Sequence, residues 1–266
     1  FSAHTILGLL SIPMWIILLA NLNRTAVALA LLYLPFYLAP AHHWYPGWKG
    51  FDAFWRLADY TRTAPTYFRQ FAVHGAVADA ERQLVVGIHP HGALVFQRMF
   101  WRSELIPLKR PWRMIGASVL FRIPIIREMS LWFGAVDASK PMCRRLLRAG
   151  ANLILYPGGL DEANRPTTEP RVFVKVRTGF IRLAVEHGVA VLPVFTFGEL
   201  EAIRSVPSLP SAAAEFLRKW FRISTNLFVG RWGLPIPHRT PMNMCLGQPV
   251  EVRAENEVDA EVSRVH

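Results

Sequence analysis

Hydrophobic and polar positions divide this chain into an apolar opening and a longer region of short apolar runs between turns. No residue in 6–22 is charged, and after the polar break Asn23-Arg24-Thr25 a second uncharged run covers 26–41. Each run is about 16 or 17 residues, the lower edge of what crosses a hydrocarbon layer of roughly 30 Å. Joined by so short a break, they predict an apolar helical hairpin with Arg24 at its tip. It either crosses the layer twice or dips in as a re-entrant loop, and both arrangements return its ends to one side. A helix buried in a globular core carries a polar stripe, and these runs have almost none. The exit, His42-His43-Trp44-Tyr45-Pro46-Gly47-Trp48-Lys49, has the aromatic and polar mixture of an interfacial belt. Residues 51–80 then interleave Phe51, Phe54, Trp55, Tyr60, Tyr67 and Phe71 with Arg56, Arg62 and Arg69, which reads as an interfacial amphipathic segment.

Beyond residue 80 the period changes. Runs of Leu, Val and Ile at 84–88, 152–156 and 189–195 are short, continuous and halted by Gly or Pro, as strands buried on both faces are. Weaker strand patterns cover 112–117 and 242–246. Helical patterns cover 94–101, the stretch from 123 to near 134, 140–148, 179–187 ending at Gly188, and 212–222, while 230–238 is a Gly- and Pro-bounded loop. Strands alternating with helices predict an α/β fold: a mixed sheet flanked by helices, with its loops gathered along one edge. The division expected is a membrane-embedded hairpin over 1–48 and one α/β domain over 49–266.

Composition narrows the partners. Lys and Arg total 30 against 19 Asp and Glu, giving +11, yet hydrophobic residues make up 52% and the mean hydropathy is +0.22. Association with a membrane surface accounts for both features, whereas nucleic-acid binding accounts for the charge alone, and no nucleic-acid partner is expected. Cys143 and Cys245 stand far apart in no zinc-like spacing, so the fold is not a disulfide scaffold. The chain opens on Phe1 rather than Met, as a piece of a longer protein would.

The candidate chemistry sits where the buried runs stop. His89-Pro90-His91-Gly92 follows the first of them directly, putting two imidazoles at the carboxyl end of a strand, the edge where open α/β sheets bind ligands. An imidazole of pKa roughly 6.5 takes a proton from a hydroxyl near neutral pH, which is general-base chemistry. After the run at 152–156, Pro157-Gly158-Gly159 brings backbone amides within reach of a ligand, and Asp161 and Glu162 follow. A carboxylate at one strand end can orient an imidazole at the next. Arg144, Arg145 and Arg148 form either a solvated face or a site for an anionic lipid or phosphorylated cosubstrate. Two rival readings remain. His-x-His is also a metal-ligand pattern, with His187 or His238 as further ligands of a metal-dependent hydrolase, although the nearest downstream acids are Glu104, Glu128 and Asp137. The other rival is a non-enzymatic lipid-surface binding protein. A serine hydrolase is disfavoured, since Gly116-Ala117-Ser118-Val119-Leu120 lacks the second glycine of a nucleophile elbow.

Taken together, these blocks resemble the type-2 diacylglycerol acyltransferases, a group that also contains monoacylglycerol and wax-alcohol acyltransferases. His89-Pro90-His91-Gly92 is similar to that group's HPHG signature, Arg122-x-Pro124-x-x-Arg127-Glu128 to its proline/arginine block, and Gly158-Gly159-x-x-Glu162 to its glycine-glycine-glutamate block. Arg177-x-Gly179-Phe180, Ala184, Gly188, Pro193 and Phe197-Gly198-Glu199 resemble its longest signature, and Gly230-Arg231-Trp232-Gly233 a late glycine block. Tyr67-Phe68-Arg69 departs from the Tyr-Phe-Pro common in the group, and neither Leu94 nor Phe96 is the Asp that follows the histidine in the wider glycerolipid acyltransferases.

The resemblance implies transfer of a fatty acyl group from acyl-CoA to a lipid hydroxyl, most simply diacylglycerol to triacylglycerol. It implies no metal and no cofactor beyond acyl-CoA as cosubstrate. The implied location is the endoplasmic reticulum membrane with the α/β domain cytosolic, or a lipid-droplet surface. His91 is expected to be the base, since it lies beyond Pro90 and beside Gly92, with Glu162 orienting its ring and His89 supporting the turn. Gly158 and Gly159 are the expected oxyanion donors. Arg171, Lys175 and Arg177 are candidates for the CoA phosphates.

Overall fold

A computed structural model describes residues 24–38, 66–92, 101, 106, 108–132, 134–163, 177–221 and 226–252. The first apolar run, the exit at 42–49, the aromatic stretch 51–65, most of the helix expected over 94–101, and Arg171 and Lys175 lie outside them.

In chain order the elements are α1 (Arg24–Leu38), β1 (Gln70–His74), β2 (Leu84–His89), β3 (Trp112–Gly116), α2 (Ile126–Trp132), β4 (Ala135–Asp137), α3 (Lys140–Arg148), β5 (Asn152–Leu155), α4 (Leu160–Ala163), α5 (Gly179–His187), β6 (Ala190–Phe197), α6 (Glu199–Ala202), β7 (Arg204–Val206), α7 (Ser211–Phe221), β8 (Leu227–Val229) and β9 (Pro241–Leu246). Seven strands form one sheet in the order β1-β9-β6-β2-β5-β3-β4. β6, β2, β5, β3 and β4 run parallel, and β9 is antiparallel to β6 and carries β1 parallel to itself, so the sheet is mixed as expected. β7 and β8 pair separately as a short antiparallel ribbon.

The continuous apolar runs are explained by burial on both faces. Along β2, Leu84, Val86 and Ile88 point into a layer with Met114, Ile154, Leu192, Met242 and Met244, and Phe68, Trp101 and Ile106 close that side. The intervening Val85 points the other way, with Leu153, Leu155 and Val191, into a layer roofed by Met142, Leu146 and Leu147 of α3 and Phe180, Ile181 and Ala184 of α5. All four of those β2 side chains are completely buried. Burying a Val, Leu or Ile is worth about 1.5–3 kcal/mol each, and a polar residue on either face would lose that contribution. On the outer side of the roof, Arg144 and Glu186 join α3 to α5 by two parallel bonds of 2.8 and 2.9 Å.

The structure corrects the reading of residues 70–74. They are β1, an edge strand paired with β9, rather than part of an interfacial amphipathic segment. β1 shows no buried alternation because it lies at the sheet margin, with its ends exposed and its centre half-buried.

α1 occupies part of the second uncharged run. Leu29, Leu31, Leu32 and Leu38 are exposed along it, and no described helix is long and apolar enough to cross a membrane. Two tyrosines one turn apart tie α1 to the α/β domain. The Tyr37 hydroxyl donates to the Arg122 carbonyl at 2.6 Å, and the Tyr33 hydroxyl donates to the Glu128 carboxylate. That carboxylate also pairs with buried Arg127 and accepts the Ile125 N–H at 3.0 Å. Ile125 has φ 70, a left-handed conformation costing a β-branched residue about 1–3 kcal/mol. The proline/arginine block is therefore a tightly bonded turn following β3, on which α1 rests.

Candidate active site

β2, β5 and β6 are neighbours, and their carboxyl ends bring three loops together. Gly87 is in register with Leu155, the last residue of β5, so β2 runs on past its neighbour and delivers His89 beside the chain leaving at Tyr156. On the other side His89 is in register with Phe195. Pro90 follows through a cis peptide bond, and Gly92 has φ 61.

The Pro157-Gly158-Gly159 turn folds the next segment back under that loop. Gly159 N–H donates to Tyr156 O at 3.1 Å, and Glu162 N–H to Gly159 O at 3.2 Å, which starts the single turn of α4. Glu162 thereby points inward and is buried. Its carboxylate packs on the Gly158 backbone: a Cβ at Gly158 would lie 1.9 Å from the Glu162 Cδ. This contact gives the Gly-Gly-x-x-Glu spacing a physical reason, since a side chain at 158 would occupy the space of the carboxylate.

Glu162 then binds the histidine loop at two points. Oε1 accepts from His89 Nδ1 at 2.8 Å, and Oε2 accepts the backbone N–H of His91 at 2.8 Å. The expected contact between Glu162 and the His91 ring is not the one formed. His91 Nδ1 instead donates to the Gly92 carbonyl at 2.8 Å. The reason is backbone geometry: the turn at Pro90 presents the His91 amide to the carboxylate and carries its ring away, against Tyr156 at 5.0 Å between centroids. Both imidazoles thus have Nδ1 engaged, and neither Nε2 has a hydrogen bond among the described residues.

Burial among protein atoms pushes the His91 pKa below the usual 6.5, and nearby Arg177 lowers it further. The Gly92 carbonyl and the Glu162 charge act against that shift without reversing it. His91 is therefore neutral at pH 7, with its lone pair on Nε2 when Nδ1 carries the proton.

Two further side chains border the site that the sequence reading assigned no role. Tyr156, the last residue of a buried run, is one. Glu199 is the other, fully buried and so close to Gly92 that a Cβ there would lie 2.6 Å from its Oε1. Its signal in the sequence is position: it directly follows β6 and Gly198, as Glu162 follows β5 and the Gly158-Gly159 pair a few residues on. The histidine loop is flanked on both sides by buried carboxylates from neighbouring strand ends.

Of the cationic candidates, Arg177 is the described one. It is half-exposed, bonds Asp161 at 3.2 Å and lies over Gly159, at the mouth of the site. Of the Gly158 and Gly159 amides, the second is taken up by its turn. His187 lies away from the loop, with Nδ1 on the Leu183 carbonyl at 3.0 Å. Among the described residues no three His, Cys, Asp or Glu side chains are grouped to hold a metal ion.

Known proteins resemble the chain over much of its length. The chain is 27% identical over 209 residues to acyl-CoA wax alcohol acyltransferase 2 of Mus musculus, covering 70% of this chain and 62% of that protein. It is 26% identical to diacylglycerol O-acyltransferase 2B of Umbelopsis ramanniana, covering 75% and 63%, and 29% identical to 2-acylglycerol O-acyltransferase 3 of Homo sapiens, covering 75% and 65%. The chain thus spans a little under two thirds of the length of these curated relatives. Among solved structures, the 1-acyl-sn-glycerophosphate acyltransferase PlsC of Thermotoga maritima superposes with a TM-score of 0.47 at 20% identity, over 79% of this chain and 75% of that one. The family model for diacylglycerol acyltransferase matches residues 25–266, and the chain belongs to that family.

Proposed function

We propose that this protein is a membrane-associated O-acyltransferase that moves a fatty acyl group from acyl-CoA to the free hydroxyl of diacylglycerol, yielding triacylglycerol and CoA. The observation that carries this reading is the Glu162-clamped histidine loop: a neutral, part-buried imidazole with Nδ1 held by a carbonyl, at the sheet edge on which an apolar helix rests. The family supports it, as do relatives named for diacylglycerol, 2-acylglycerol and wax alcohol, which share a hydroxyl acceptor.

His91 Nε2 takes the proton of the acceptor hydroxyl as its oxygen attacks the thioester carbonyl. The tetrahedral oxyanion is met by the Gly158 N–H. Collapse breaks the C–S bond, and the imidazolium returns its proton to the CoA thiolate, so ester and free thiol leave. Glu162 is a positioning residue that fixes the turn through the His91 amide, and its charge favours the transient imidazolium. Arg177, with Arg171 and Lys175, provides cations for the CoA phosphates. The thioester is already activated, so the reaction needs no metal. The proposed setting is the endoplasmic reticulum membrane or a lipid-droplet surface, with the α/β domain on the cytosolic side.

The 2.8 Å contact between His89 Nδ1 and Glu162 favours a second reading, in which His89 is the base and the carboxylate its direct partner. The activity itself is tested by giving the purified protein in detergent labelled acyl-CoA with diacylglycerol, monoacylglycerol or fatty alcohol. Labelled triacylglycerol, formed equally after exhaustive chelation, is expected. Hydrolysis to free fatty acid that is lost on chelation and restored by zinc would favour the hydrolase.

A further inference from the structure

Among the described residues, every large hydrophobic side chain that is exposed lies either on α1 or within 197–234. The helices α3 and α5, which roof one face of the sheet, have none. Scattered exposed apolar residues are ordinary, but confinement to one part of a fold marks a contact surface.

The segment from Phe197 to Leu234 leaves the carboxyl end of β6 and returns at the start of β9, so it departs from and comes back to the edge that carries the histidine loop. It is anchored there by Ser205 Oγ to the Ala163 carbonyl at 3.4 Å and by His238 N–H to the Ala202 carbonyl at 2.7 Å. Within it, Val206 and Leu227 are register partners across the β7–β8 ribbon and both are exposed. Leu209 leads into α7, on which Phe216 and Trp220, one turn apart, are 57% and 70% exposed with ring centroids 6.2 Å apart. Exposed Lys219 neighbours them. Over 197–241 six Arg and Lys stand against three Glu.

From these observations we infer that the β7–α7–β8 unit is a second membrane-contact surface, inserted into the headgroup region of an anionic lipid layer and separate from α1. A short helix with Phe and Trp on one side and cations beside them is built for the interface plane, where aromatic rings sit at headgroup depth. The excess of cations complements anionic lipid and opposes pairing with a second copy of the same surface. Through its turn after β3, α1 rests on the same edge, so two separate contacts would bring the histidine loop down to the lipid. The inference extends the proposed acyl transfer by naming the surface that holds the site against its lipid acceptor, but lipid contact itself is independent of catalysis.

The test reads position rather than turnover. In the full chain carrying Cys245→Ser, Phe216→Cys is labelled with an environment-sensitive NBD fluorophore, and Arg145→Cys on α3 is labelled as the reference. Each is mixed with phosphatidylcholine vesicles containing phosphatidylserine, with and without spin-labelled lipid. The probe at 216 is expected to shift to the blue and to be quenched several-fold more than the probe at 145. Leu209→Cys provides the same readout should the 216 variant fold poorly. An aqueous spectrum at both 209 and 216 in vesicle-bound protein would overturn the inference. So would emission that depends on protein concentration rather than lipid, which would assign the surface to a second copy. Failure of acyl transfer with quenching intact would sink the catalytic reading alone.

Discussion

The carboxylate of Glu162 accepts from the ring of His89 at 2.8 Å but reaches His91 through its backbone amide. One buried acid thus acts on the two histidines differently, pairing with one imidazole and fixing the turn that carries the other. Each consequence can be measured separately.

Replacing the acid keeps the shape and removes the charge. Glu162→Gln is expected to lower kcat by about tenfold, the scale of losing one charge-assisted hydrogen bond. The Glu162 charge raises the His91 pKa against the larger effect of burial, so its loss lowers that pKa further. The acid limb of the kcat/KM profile, expected below 6.5 in the parent, should therefore move to lower pH.

Arg177 has the opposite sign. Its charge lowers the His91 pKa, so Arg177→Gln should move the same limb to higher pH. The KM for acyl-CoA should rise in parallel if the side chain holds a phosphate. A rise in KM with no movement of the limb would place its charge too far from His91 to matter.

Gly158 has no room for a side chain. Gly158→Ala puts a methyl 1.9 Å from the Glu162 Cδ and should cost about 1–3 kcal/mol of stability while displacing the carboxylate. The control is Gly179→Ala at the start of α5, where an added Cβ meets nothing within 4 Å. Thermal unfolding and initial rates should separate the two variants clearly.

The contact between α1 and the domain is equally specific. Tyr33→Phe removes the hydroxyl that reaches Glu128, and about 0.5–1.5 kcal/mol should be lost. The midpoint of thermal unfolding in detergent reads this directly, and an unchanged midpoint would show that the bond contributes nothing net.

Most of the central fold was legible because β2, β5 and β6 are buried on both faces and appear in the sequence as unbroken apolar runs. α3 and α5 were equally legible: the structure gives both the bounds read from the sequence, Lys140–Arg148 and Gly179–His187. β1, β4, β7 and β8 were not, since strands of three to five residues are too short to set a period in the sequence and depend on their partners for their conformation. The site followed the same division. His89, His91 and Glu162 could be found because they stand where buried runs stop. The pairing among them depends on which way the backbone turns at Pro90 and Gly92, and residue type does not encode that. Glu199 was overlooked because a second acid after a strand looks like a solvated turn until Gly92 is seen packed against it.

The central claim is that His91 removes the proton of the acceptor. It is tested most directly by initial rates of acyl transfer from labelled acyl-CoA to diacylglycerol for His91→Ala and His89→Ala, each with a melting temperature. His91→Ala should lose about 10²–10⁴-fold in kcat, the usual cost of a general base, with its melt unchanged. His89→Ala should lose less rate and some stability, because it leaves the buried Glu162 without its ring partner. Near-parental turnover in His91→Ala, with the larger loss in His89→Ala, would contradict the assignment and make the His89–Glu162 pair the base.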